Sequence, residues 1–215
     1  MKKVLIHPAY FPSIAQMVAV VHADGVIFEV QDNYQKQTYR NRTYIAHSNG
    51  KLLLTIPVEH RKNGQRQKTN EVLMANQFPW RKQHWKSLQI AYRTSPFFEF
   101  YEDELEFLFR DTVDNLLDHN LAIFNVLCDL IGIDPPIEKT NTFTKDVGEY
   151  IDLRFLIEAK RDCPIVLTPY TQVLEASHDF IPNLSILDLL FNEGPNTLSY
   201  LESQPTSFLN SERNY

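Results

Sequence analysis

Strand, short helix and strand follow one another within the first 30 residues, and that succession limits the fold more than any other feature of the chain. Residues 3–6 form a short apolar run ended by Pro8 and Pro12. Ser13 is suited to cap a helix, because its hydroxyl accepts from the unpaired N–H groups of a first turn. Ile14, Met17, Val18 and Val21 then share one helical face, Gly25 breaks the pattern, and Val26-Ile27-Phe28 reads as a second buried strand. Two strands joined through a helix run parallel, so the start predicts a βαβ unit.

Further on, residues 43–46 and 52–57 read as strands of a hairpin, joined by Ser48-Asn49-Gly50. Residues 72–74 return as a short strand, and 80–92 look helical. Residues 102–117 carry Leu105, Leu108, Phe109, Val113 and Leu116 on one face, which predicts a helix. Another covers 120–131, ended by Gly132 and Pro135. Residues 165–167 read as a strand. Residues 184–191 are apolar all round, so they predict a buried helix ended by Gly194-Pro195, with a further turn or two over 196–201. The fold class is therefore α/β: a mixed sheet with an N-terminal βαβ start and a helical C-terminal half. Residues 1–215 read as one domain, with a weak internal break near 134–148.

The chain has 215 residues, 43% of them hydrophobic, enough for one sizeable core. Its two cysteines, Cys128 and Cys163, form no CxxC pair, which points to a reducing compartment. No window approaches the ~18 apolar residues of a membrane span, and His7-Pro8 interrupts the only apolar run that could open a signal peptide. The expected location is the cytoplasm. There is no GxGxxG, no P-loop and no paired-histidine spacing, so neither a cofactor nor a metal is expected.

Charge is unevenly spread. Residues 36–93 hold 12 Lys and Arg against Glu59 and Glu71, a net +10, which leaves −16 elsewhere and −6 in total. Such a segment either packs against the acidic remainder or lines a basic cleft for an anionic small molecule. The cleft reading selects three places. The first is the loop after the opening strand, with His7 and Tyr10, at the edge of a parallel sheet where ligands bind. The second follows the second strand: Asp32, Gln35, Lys36, Tyr39, Arg40, Asn41 and Arg42. Arg there suits a planar, bidentate grip on phosphate or carboxylate. Lys68, at the end of a basic turn over 60–68, joins it. The third is the helical stripe of Lys82, Lys86 and Arg93 beside Trp85, Leu88 and Tyr92. Asp188 and Asn192, one turn apart on a buried helix, order a cation such as Arg42, line the floor of the cleft, or anchor the helix. The residues expected nearest a reacting group are His7, Asp32 and Tyr39.

These pieces resemble the WbqC-like family. His7-Pro8-Ala9-Tyr10-Phe11-Pro12 resembles its QPxYxP start, with His7 in place of Gln. Tyr39-Arg40-Asn41-Arg42-Thr43-Tyr44-Ile45, Leu54-Thr55-Ile56-Pro57-Val58, residues 92–101 and residues 180–195 match further segments. The resemblance implies a bacterial cytosolic protein in cell-surface polysaccharide biosynthesis. A transferase of acyl or aminoacyl groups onto an activated sugar would fit, its ligand a nucleotide sugar or acyl donor. A non-catalytic partner in a biosynthetic complex is the alternative. RNA binding is disfavoured by the net negative charge.

Overall fold

The computed structural model describes residues 2–59, 66–110, 113–160 and 165–210. Parallel and antiparallel pairing both occur, in two separate sheets. The first has four parallel strands in the order β5-β2-β1-β6: β1 Val4–Ile6, β2 Val26–Phe28, β5 Ile137–Lys139 and β6 Ile151–Asp152. Helix α1, Ile14–Val21, crosses from β1 to β2, and the Ser13 hydroxyl accepts from the Gln16 N–H as its cap. From β1 the chain builds outward through β2 to β5 and then places β6 on the other side of β1. The order therefore reverses between β1 and β6, where open α/β sheets bind ligands beyond their carboxyl edge.

The second sheet is the hairpin of β3 Arg42–His47 and β4 Gly50–Thr55, closed by Ser48-Asn49 with His47 opposite Gly50. Residues 72–74 form no full strand; Leu73 and Met74 make single bridges to Asn115 and Val58. Helices α2 Trp80–Tyr92, α3 Phe98–Arg110 and α4 Leu116–Ile131 follow. The apolar spacing over 102–117 does not continue as one helix. Asn115 adopts an extended backbone and its side chain caps α4, accepting from the N–H groups of Leu117 and Asp118. Residues 165–167 form no strand either: Ile165 and Leu167 are buried, but the next N–H, of Thr168, goes to the Gln204 side chain. Short α5 Glu175–His178 precedes the buried α6 Ile186–Glu193 and α7 Thr197–Ser203. The 134–148 stretch contributes β5 to the sheet.

Gly194 closes α6 with φ +52 and ψ −119, a conformation open to glycine alone. A Cβ there would also overlap the Phe97 ring. Gly194→Ala is expected to lower stability by about 2–4 kcal/mol in urea unfolding. A loss under about 1 kcal/mol would mean that the ring moves aside freely.

Candidate functional site

Alternation along a strand sorts the parallel sheet into two faces. Val4, Ile6, Val26 and Phe28 lie on one, which is apolar; Phe28 meets Phe124 of α4 edge-on at 4.9 Å. Leu5 and Ile27 lie on the other, and the register carries that face past the strand ends to His7, Glu29, Thr140 and Arg154. These four stand side by side, one per strand, at the carboxyl edge.

Their hydrogen bonds tie them together. Glu29, 1% exposed, accepts at Oε1 from the Gln31 N–H at 2.7 Å and the Thr140 hydroxyl at 2.9 Å. Its Oε2 faces Arg154 Nη1 at 3.7 Å. Arg154 forks onto Asp152, with Nε at 2.9 Å and Nη2 at 2.6 Å, and donates onward to the carbonyls of Thr144 and Lys145. One buried guanidinium thus pins the crossover between β5 and β6. That crossover must return from the carboxyl edge to the amino edge, because the two strands are parallel. Under it lies a cavity of about 450 Å³, floored by Leu5 and reaching Glu29, Thr140, Asp146, Glu149 and Tyr150.

Arg40, 1% exposed, lies beside this row. Its Nη2 donates to Asp32 Oδ2 at 2.5 Å, and Asp32 Oδ1 accepts from the Thr69 hydroxyl. The same Nη2 stands 3.1 and 3.0 Å from the two ring nitrogens of His7. A point equidistant from both nitrogens within the ring plane would press into the carbon between them, so Arg40 lies against the ring face. Burial, and then the Arg40 charge, push the His7 pKa well below its ordinary value, so the imidazole is neutral at pH 7.

His7, Asp32 and Arg40 are therefore brought together, in a closed cluster beside the cavity lining. Tyr39 is half-buried against Tyr44, and its backbone holds the loop: its carbonyl accepts from Tyr10 N–H and its N–H donates to Ile157 O, both at 2.8 Å. Gln35 and Lys36 are exposed, and Lys68 is exposed with its ammonium on the Gln31 carbonyl. Arg42 is half-buried, and its Nε has no partner among the described residues. Burial raises the Tyr34 phenol to about 12, against the opposing charges of Arg40 and Arg42.

The other expected contacts are corrected by burial. Tyr10 is 0% exposed and its hydroxyl meets His84 Nδ1 at 2.9 Å, so it is core. Asn41 is buried and donates to the Ile56 carbonyl. Asp188 and Asn192 anchor α6, with Asp188 accepting from Tyr92, Tyr170 and Gln172 and Asn192 spanning Asp188 O and Val173 N. Lys86 and Arg93 are exposed, and Arg93 pairs with Glu102 of α3 at 3.3 Å. The N–H groups opening α1 are taken by Leu184 O, Asn183 Oδ1 and Ser13, so they offer no anion cradle. Turn residues 60–65 lie outside the described residues, and only Arg66 to the end of that turn is seen.

Glu29, Thr140 and Arg154 were absent from the expected set. The signal for Glu29 was present: it follows its strand as His7 follows the first, two residues past an inward apolar partner. Thr140 and Arg154 had no such signal, since β5 and β6 are three and two residues long.

Fold and row together define an α/β protein whose parallel sheet carries a polar carboxyl edge beside a ligand-sized cavity. The chain belongs to the WbqC-like protein family, whose model matches residues 7–162. It is similar to the uncharacterized protein Rv1507c of Mycobacterium tuberculosis, 26% identical over 228 residues that cover 94% of this chain and 98% of that one. No solved structure gives a significant match. Among the described residues no helix is long and apolar enough to cross a membrane, and no group of three His, Cys, Asp or Glu is placed to hold a metal ion.

Proposed function

We propose that the protein is a transferase-type protein acting on an activated sugar or similar phosphate-bearing metabolite in bacterial cell-surface polysaccharide biosynthesis. One observation carries this reading: the 450 Å³ cavity beside the row at the carboxyl edge, walled by carboxylates, threonine hydroxyls and Tyr150. Carboxylates and hydroxyls pair with sugar hydroxyls, and a tyrosine ring offers an apolar face for a sugar to stack on. Its volume falls within the ~300–1,000 Å³ usual for small-molecule sites. Lys68, which reaches the Gln31 carbonyl two residues past Glu29, is the cation we assign to a phosphate. Glu29, held by Gln31 and Thr140, is the group suited to take a proton from an acceptor hydroxyl or amine.

A second reading is a non-catalytic partner of a biosynthetic complex. What favours it is that His7, Asp32 and Arg40 are buried and already paired with one another.

A thermal-shift screen of nucleotide sugars and acyl donors separates the two. A true ligand at 100 times its Kd stabilises by about 2.7 kcal/mol. Glu149→Gln, at an exposed position of the cavity wall, is expected to weaken that ligand at least tenfold and leave the unliganded melting temperature unchanged. No shift with any member of the panel would leave the non-catalytic reading standing.

A further inference from the structure

A second groove lies between the amino end of α2 and the carboxyl end of α3. It encloses about 360 Å³ and is walled by Phe78, Arg81, Lys82, Trp85, Phe109 and Arg110. Three cations meet there in a chain whose net charge is −6. The one opposing carboxylate in the wall, Glu106, is paired with Arg110 at 2.5 Å.

Arg81 is fixed in place. It donates to Asn76 Oδ1 at 2.5 Å and to the Val113 carbonyl at 2.7 Å, and it stacks over the Trp80 ring at 4.5 Å. The 13-residue helix α2 begins at the groove, and Pro79 gives its first turn no side-chain cap, so the positive end of the helix is directed there. Trp85 is 8% exposed, and its buried indole N–H has no hydrogen-bond partner among the described residues. Its ring forms part of the groove wall. At the rim Phe78 is 56% exposed, a large ring left in water.

Cations and a helix amino end call for an anion with several acceptor oxygens. Exposed and lining aromatics call for a flat apolar ring. The volume, near the lower end of small-molecule sites, fits one compact molecule carrying both. We propose that this groove is a second binding site, for a small aromatic organophosphate of the nucleoside monophosphate kind. It is separate from the sheet edge: no residue of its wall belongs to the cavity under the β5–β6 crossover.

The test is intrinsic fluorescence of the whole chain, whose two tryptophans, Trp80 and Trp85, both lie at the start of α2. Adenosine and uridine monophosphates are titrated beside adenosine and inorganic phosphate. Saturable quenching by a monophosphate is expected, with the nucleoside and phosphate alone at least tenfold weaker. The double variant Lys82→Ala/Arg110→Ala removes only exposed side chains. It is expected to weaken the monophosphate at least tenfold at unchanged melting temperature, while Glu149→Gln leaves that binding intact. Equal quenching by nucleoside and monophosphate, no loss in the double variant, or no saturable quenching at all would overturn the site. Loss in Glu149→Gln alone would assign the monophosphate to the sheet edge instead.

Discussion

Asp188→Ala is expected to lower stability by about 4 kcal/mol or more, enough to leave little folded protein at 37 °C. Asp188 is 0% exposed and lies in the first turn of α6. Its carboxylate accepts from the Tyr92 hydroxyl at 2.8 Å, the Tyr170 hydroxyl at 2.5 Å and Gln172 Nε2 at 2.8 Å. Each buried donor left without an acceptor costs about 1–3 kcal/mol. Gln172 keeps a bond to the Ile181 carbonyl, but Tyr92 already accepts from the Ala46 N–H and, among the described residues, has no second acceptor for its proton. The network ties α6 to α2, β3 and the 170–172 loop, so its loss loosens the packing of three elements. Asp188→Asn keeps one acceptor oxygen and sets an NH₂ against a donor, so a smaller loss of about 2 kcal/mol is expected. Urea unfolding of the two variants checks both figures. A loss under about 1 kcal/mol for Asp188→Ala would show that Asp188 does not anchor the helix.

Acid is expected to unfold the protein between pH 6.5 and 4, through two buried histidines. Burial pushes His84 down to about 4, against a backbone bond to Thr55 that raises it. Burial, then the charges of Arg81 and His84, push His119 down to about 4. The unfolded chain takes up these protons near pH 6.5 and the folded chain does not. Stability is therefore whole above 6.5 and is lost as the pH falls toward the folded values. Complete titration amounts to about 3 kcal/mol for each group, and the two together rival the whole stability of an ordinary domain. His7, whose pKa is also lowered by burial, acts in the same direction. Urea midpoints measured from pH 7.5 to 4.5 test this. His119→Leu, which removes an Nε2 that has no partner among the described residues, is expected to flatten the curve by up to about 3 kcal/mol near pH 4. A midpoint independent of pH over that range would refute the assignment.

Local patterns made much of the fold legible. Ser13 marked the cap of α1, Ser48-Asn49 marked the hairpin, and α2 spans the residues its periodicity indicated. The break between α3 and α4 was hidden, because apolar spacing runs on through Val113 while Asn115 ends it by a capping bond that no periodicity records. Strands β5 and β6 were hidden for another reason. Three exposed residues in β5 and two half-buried ones in β6 carry no alternation to read, and only their partners β2 and β1 make them strands.

The candidate site divides along the same line. Sequence alone determined that the chain starts as βαβ, which fixes a carboxyl edge and sets His7 and the 32–42 segment beside it, since those are properties of neighbouring residues. It also determined that residues 36–93 are basic. Tertiary structure decided what that charge does. It buried Arg40 against Asp32 and His7 and left Lys36 and Lys86 in water. It brought Glu29, Thr140 and Arg154, more than 100 residues apart in the chain at the extremes, into one row. Register between distant strands sets that row, and register is a property of pairs that no single segment contains.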